Sequence, residues 1–120
     1  MSEIRIRVEG AQSFFRRARE EARRIDAGQS AQSPNELSFE SMETLAALLS
    51  TNRWKLLIKL REIGPASIRS LARALGRDYH GVHSDVAKLL DAGLVSRDAQ
   101  QKIYVPWAKI TAEVTLDAAA

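Results

Sequence analysis

The stretch SIRSLARALGRDYHGVHSDVAKLLDAGLVSRDAQQKIYVP (Ser67–Pro106) decides how this chain reads. Its opening places Ser67 ahead of apolar Ile68, Leu71 and Leu75 and closes on Gly76, the pattern of a short helix with an N-cap and a glycine stop. After a tight turn, Asp78 opens a second helix that runs to Gly93 with Val82, Val86, Leu89 and Leu90 on one face. Two short helices joined in this way predict a helix-turn-helix. The β-rich runs Leu94–Arg97 and Lys102–Val105 flank the polar turn Asp98–Gln101 and predict a hairpin. A hairpin directly after the second helix stands where a wing belongs.

Both histidines of the chain, His80 and His83, fall in the second helix. Zinc pairs on a helix use histidines four apart with further ligands elsewhere. Here the spacing is three, and the chain has no third histidine and no cysteine. His83, Ser84 and Asp85 are consecutive, so on a helix they fan out about 100° apart and do not converge as a catalytic triad must. No glycine-rich phosphate loop follows a strand. The expectation is a protein that is not an enzyme and needs neither metal nor cofactor.

With the apolar face turned inward, the outward arc of the second helix holds Arg77, His80, Gly81, Ser84, Ala87 and Lys88, with His83 at its edge. In a helix-turn-helix, the first turns of the second helix approach base edges in the major groove. Tyr79, His80, His83 and Ser84 offer hydrogen bonds there, and Gly81 leaves room for close approach. Arg77, Lys88 and the helix N-terminus suit phosphates. Ser67 and Arg69 open the first helix of the motif, which crosses the DNA backbone. Arg97, Gln100, Gln101 and Lys102 sit at the wing tip. Asp85 reads as a local hydrogen-bonding or solvated residue. The expected partner is double-stranded DNA, with a recognition helix over 78–92 and a wing over 94–106.

Outward from this stretch the pattern stays dense. NRWKLLIKLREIG (Asn52–Gly64) is apolar on nearly every side, as a helix buried at the centre of a small domain is. SMETLAALLS (Ser41–Ser50) predicts a short helix capped by Ser41. The opening Ile4, Ile6 and Val8 alternate with Arg5 and Arg7, which predicts a strand. AQSFFRRAREEARRIDAG, ending at Gly28, predicts a helix whose stripe is Phe14, Phe15, Ala18, Ala22 and Ile25. That stripe is suited to covering a small sheet or a second subunit. Its other face offers the pairs Arg16–Glu20, Arg17–Glu21 and Glu20–Arg24 at helical spacing. The polar segment 28–38, with Pro34, reads as an exposed connector. Lys109–Leu116 alternates as a second half-buried strand, whose simplest partner is Ile4–Val8 in the same chain or in a second copy.

The expected organisation is therefore an N-terminal strand–helix arm (1–27), a linker (28–38), a winged helix-turn-helix domain (39–106) and a C-terminal strand (107–120) that pairs with the arm. In class this is α+β, and the two strands without neighbours in the helical domain suggest a homodimer joined through the arm. The net charge is +3 over 120 residues. Its distribution is uneven: +2 over residues 1–27, −3 over 28–50, +5 over 51–106 and −1 over 107–120. The basic part thus coincides with the helix-turn-helix, as an anionic partner requires. No apolar run reaches the ~20 residues needed to span a bilayer, and the start lacks the apolar run of a signal peptide. A cytoplasmic protein without a membrane partner is expected.

SIRSLARALGRDYHGVHSDVAKLLDAGLV resembles the small archaeal and bacterial predicted transcriptional regulators with a MarR-like winged helix-turn-helix. Their pattern is roughly S-x-x-x-L-A-x-x-L-G-R-D-Y, then V-H-x-D-V-x-x-L-x-x-x-G-L-V. LSFESMETLAALLSTNRWKLLIKLREIGPASI and VPWAKITAEVTL resemble the same group, so the likeness covers Leu37–Leu116. It places Arg77, Asp78, Tyr79, Val82, His83, Asp85 and Val86 at family positions. His80 and Gly81 stand where such sequences often carry a Lys-Asn-like pair, a departure that bears on base preference. The resemblance implies transcriptional regulation. It also implies an alternative role as an antitoxin, with a toxin protein as partner.

Overall fold

The computed structural model describes residues 2–28 and 35–114. In chain order the elements are β1 (Glu3–Val8), α1 (Ala11–Asp26), β2 (Asn35–Phe39), α2 (Met42–Leu48), α3 (Thr51–Ile63), α4 (Ile68–Leu75), α5 (Tyr79–Ala92), β3 (Ser96–Arg97), β4 (Ile103–Tyr104) and β5 (Lys109–Val114). The chain is α+β and divides into two compact units. One holds the residues up to Leu45 together with those from Lys109 on, and the other is Ala46–Ala108.

In the first unit β1 lies between β2 and β5, and both pairings are parallel. The register sets Ile6 beside Leu37 and Ala112, and Val8 beside Phe39 and Val114. Partners in register share a face, so this face is apolar, and Ile4 and Ile6 are buried. The opposite face is charged. Arg7 reaches Glu36 at 3.2 Å and Glu113 at 3.1 Å, and Arg17 of α1 reaches Glu36 at 2.8 Å and also Glu9. The result is an alternating chain, Glu9–Arg17–Glu36–Arg7–Glu113, that ties three strands and a helix together. The Arg17 guanidinium holds the Glu9 carboxyl below its usual range, outweighing the opposite effect of burial.

This arrangement corrects three expectations and decides a fourth between its two alternatives. Part of the 28–38 connector is strand, because Asn35–Phe39 pairs with Ile4–Val8 of β1; residues 29–34 of that connector lie outside the described residues. The α1 stripe does not cover the sheet. The sheet face bonded to Arg17 is charged, so the polar side of α1 turns toward it and Phe14, Phe15 and Ile25 stay exposed. Arg17 accordingly spends its donors on the sheet, and among the described residues no ion pair joins Arg16 to Glu20 or Glu20 to Arg24. Of the two partners expected for the last strand, the structure has the one in the same chain: β5 pairs with β1, so neither strand needs a second copy to complete it. The end of that strand at Leu116 lies outside the described residues.

The second unit packs α3, α4 and α5 around Leu56, Leu57, Leu60, Leu71, Val82, Val86 and Leu89, with Leu94, Val95 and Ile103 closing the core. Ser67 caps α4, accepting from the Ser70 N–H at 3.1 Å, and Asp78 caps α5, accepting from the Gly81 N–H at 2.9 Å. Gly76 and Gly93 end the two helices in the left-handed conformation that glycine adopts without strain. The Trp107 indole donates to the Gly93 carbonyl at 2.8 Å.

The hairpin β3–β4 is short. Its turn is organised by Asp98, whose Oδ1 accepts from the N–H groups of Gln100 and Lys102. Ile103 exchanges two backbone hydrogen bonds with Ala66, at 2.8 and 3.0 Å, which fastens the hairpin to the entry of α4. The helix α3 departs from the expectation that it is buried all round: Leu56, Leu57 and Leu60 are buried, but Trp54 and Ile58, one turn apart, are exposed, as is Ile63.

Candidate nucleic-acid interface

The buried residues of α5 leave His80, His83, Ser84, Ala87, Lys88 and Asp91 exposed along its outer side. At about 100° per residue, His80, Ser84, Ala87 and Asp91 form one narrow line, flanked by His83 on one side and Lys88 on the other. The line carries hydrogen-bonding groups over its first turns and an acid at its end, with Lys88 beside its later half. Asp91, which sequence reasoning passed over, repels phosphate and so marks where an anionic ligand must leave the helix.

At the N-terminal turn of α5 the structure brings together residues from two helices. The Arg69 guanidinium of α4 lies 5.9 Å from the centre of the Tyr79 ring, a cation–π contact worth about 0.5–1 kcal/mol when exposed. His80 and His83 each stand 5.8 Å from the same ring, centre to centre. Tyr79 is itself 42% exposed. The two histidines therefore gather around a tyrosine, and among the described residues no group of three His, Cys, Asp or Glu is placed to hold a metal ion.

Three expected site residues are positioned differently from their sequence reading. Arg77 is turned to Asp85, with Nη2 to Oδ2 at 2.9 Å, instead of outward to a phosphate. Asp85 also accepts from Arg53 Nε at 3.0 Å, and Arg53 Nη1 donates to the carbonyls of Ala47 and Leu48. Asp85 is thus neither solvated nor purely local; it ties the end of α2, the start of α3 and the α4–α5 turn to α5. Ser67 is occupied as a cap and donates its hydroxyl proton to Ser70 Oγ. At Gly81 a Cβ would meet the Asp78 carboxylate at 3.0 Å and Arg77 Nη2 at 3.3 Å. Its missing side chain makes room for the cap and the arginine, and not for a ligand.

The hairpin residues Arg97, Gln100, Gln101 and Lys102 are all exposed. Gln101 holds a left-handed φ of 65°, a conformation rare outside glycine and the short polar residues. It allows the Asp98 carboxylate to collect the two turn N–H groups and fixes the direction of the tip. Exposed positive charge on these elements comes from Arg69 and Arg73 on α4, Lys88 on α5, and Arg97 and Lys102 on the hairpin.

The HVO_A0114 family model matches residues 48–112, slightly more than half of the chain, and the chain belongs to that family. The matched segment takes in α3, α4, α5 and the hairpin with most of β5. Neither the curated proteins nor the solved structures compared with the chain contain a match. Among the described residues no helix is long and apolar enough to cross a membrane.

Proposed function

We propose that this chain is a sequence-specific regulator of transcription that binds double-stranded DNA through a winged helix-turn-helix of the MarR-like kind. In this reading α5 enters the major groove, α4 crosses the backbone and the β3–β4 hairpin is the wing on the flanking phosphates. The observation that carries it is the exposed line His80–Ser84–Ala87 with Lys88 beside it, on a helix whose inner side is anchored in a packed core. A single helix of this length reads one half-site, so the active form is a homodimer with its recognition helices about one DNA turn, ~34 Å, apart. This reading needs no metal, cofactor or catalytic step.

Selection of bound sequences from a random duplex library tests this directly, because it returns the site, its symmetry and the half-site spacing together. If each subunit engages about five phosphates, a fourfold rise in salt weakens a half-site by ~10² to 10³. Binding that ignores salt, or a selected pool without a common motif, rejects the reading. Sedimentation at micromolar concentration checks the dimer.

A second reading, an antitoxin whose protein partner docks on the first unit, is supported by the exposed apolar side of α1. The two are compatible, since such a protein can also bind its own operator. Co-purification with the product of a neighbouring gene separates them.

A further inference from the structure

The chain contains three phenylalanines, and all three line one notch of about 280 Å³ between the start of α1 and the end of β2. Phe14 and Phe15 meet edge to face at 5.5 Å and are 43% and 61% exposed. Phe39 closes the far side. A cavity of roughly 150 Å³ accepts a benzene, so the notch has room for one large apolar side chain. Two exposed phenylalanines beside a half-buried third make an uncovered apolar patch of the kind that marks a binding surface.

The notch does not end at Phe15. A second, shallower concavity shares that residue and continues along α1 over a floor of Ala18 and Ala22, walled by Arg16 and Arg19. The two form one track, apolar along its floor and basic along its flank. Arg19 and Arg23 have no ion-pair partner among the described residues, and Arg16 has only a hydrogen bond to Ser13 at 3.4 Å. The alanine floor lets another backbone come close, and the arginine flank selects its charge.

We propose that this track is the docking site for an amphipathic helix of another protein, with a bulky apolar residue seated in the phenylalanine notch and carboxylates set against Arg16, Arg19 and Arg23. Charge excludes a second copy of α1 as the occupant. In a two-fold antiparallel pair each flank meets its own copy, which sets this arginine row against itself. In a parallel pair the flank opposite would come from the side of α1 already bonded to the sheet through Arg17. A lipid surface fits poorly as well, since the middle of the track offers only alanines where bulky anchors are needed. Glu40 at the mouth of the notch sets the direction: the acidic end of the partner lies toward Arg23. The proposal deepens the protein-partner reading, does not depend on DNA binding, and does not require the partner to be a toxin.

The test uses the full chain and two synthetic helical peptides matched to the 16 residues of α1. Both carry leucine or phenylalanine at i, i+3, i+4 and i+7; one has glutamates on the flanks and the other lysines. The acidic peptide binds and the basic one does not. Phe15→Ser, which leaves the net charge alone, weakens binding about thirtyfold, as the loss of a hot-spot anchor does. Arg16→Glu with Arg19→Glu transfers preference to the basic peptide. Melting curves show that the variants fold, as the exposure of all three positions leads one to expect. Equal binding of both peptides, binding of neither, or indifference to Phe15→Ser overturns the proposal. So does a Phe15→Ser chain that loses a dimer present in the parent, or loses attachment to phosphatidylserine vesicles. DNA binding measured on the same samples fails or survives independently.

Discussion

At the scale of single residues, the second unit separates side chains that project outward from those that hold its elements in place. Ser84 and His80 project from the exposed line of α5, whereas Lys102 sits on the hairpin. Ser84→Ala or His80→Ala is expected to change which sequences are preferred, while Lys102→Ala weakens all sequences alike and lowers the salt slope by about 1. Competition binding against a panel of duplexes measures both, and equal effects from the two kinds of change reject the assignment. Asp85 belongs to the other class. Its side chain is 14% exposed and stands between Arg53 and Arg77, 17% and 26% exposed. Its removal leaves two guanidiniums without their anion, at a cost of about 2 kcal/mol, less than for a fully buried pair. Urea unfolding of Asp85→Ala measures this; a loss below about 0.5 kcal/mol would make the contact an ordinary surface pair. The outward line was legible in the sequence because helical period reports which residues share a face. The ion pairs were not, because Arg53 and Asp85 are 32 positions apart and no local pattern joins them.

Elements were legible where their ends carry their own chemistry. Ser67, Asp78, Gly76 and Gly93 fix the limits of α4 and α5 through bonds made within each helix end, so a reading of the chain finds them. Asp78→Ala is expected to cost about 1 kcal/mol through the lost cap on α5, and thermal melting measures the loss; an unchanged midpoint would mean that the Gly81 N–H bond contributes nothing. β2 was not legible. Asn35–Phe39 has one alternation of apolar residues and follows a polar, proline-bearing segment; it is a strand because β1 offers a ladder, which is a fact about a distant part of the chain. The same dependence explains α1 and α3. Period identifies their apolar residues, but whether these are covered depends on what faces them. For α1 that is a charged sheet face, and for α3 the neighbours reach only one side.

For the whole molecule, the two units rest on different forces. Ala46–Ala108 is held by an aliphatic core, and the unit containing β1 adds to its buried Ile4 and Ile6 the alternating charges Glu9–Arg17–Glu36–Arg7–Glu113. Because Glu9 is held below its ordinary value of 4.5, its contribution is complete above that pH and is lost as the pH falls through the lower folded value. Stability followed from pH 7 to pH 3 is expected to drop at the acid end, with a shallower drop in Glu9→Gln; parallel curves would mean that this pair carries no pH dependence. The strand order adds a consequence in time. β1 precedes the whole of the other unit in the chain, yet its neighbour β5 follows after that unit. Pairing β1 with β5 must close a loop that contains the whole helical unit, whereas that unit's own contacts are nearer in sequence, so the sheet is the slower half of the molecule to complete.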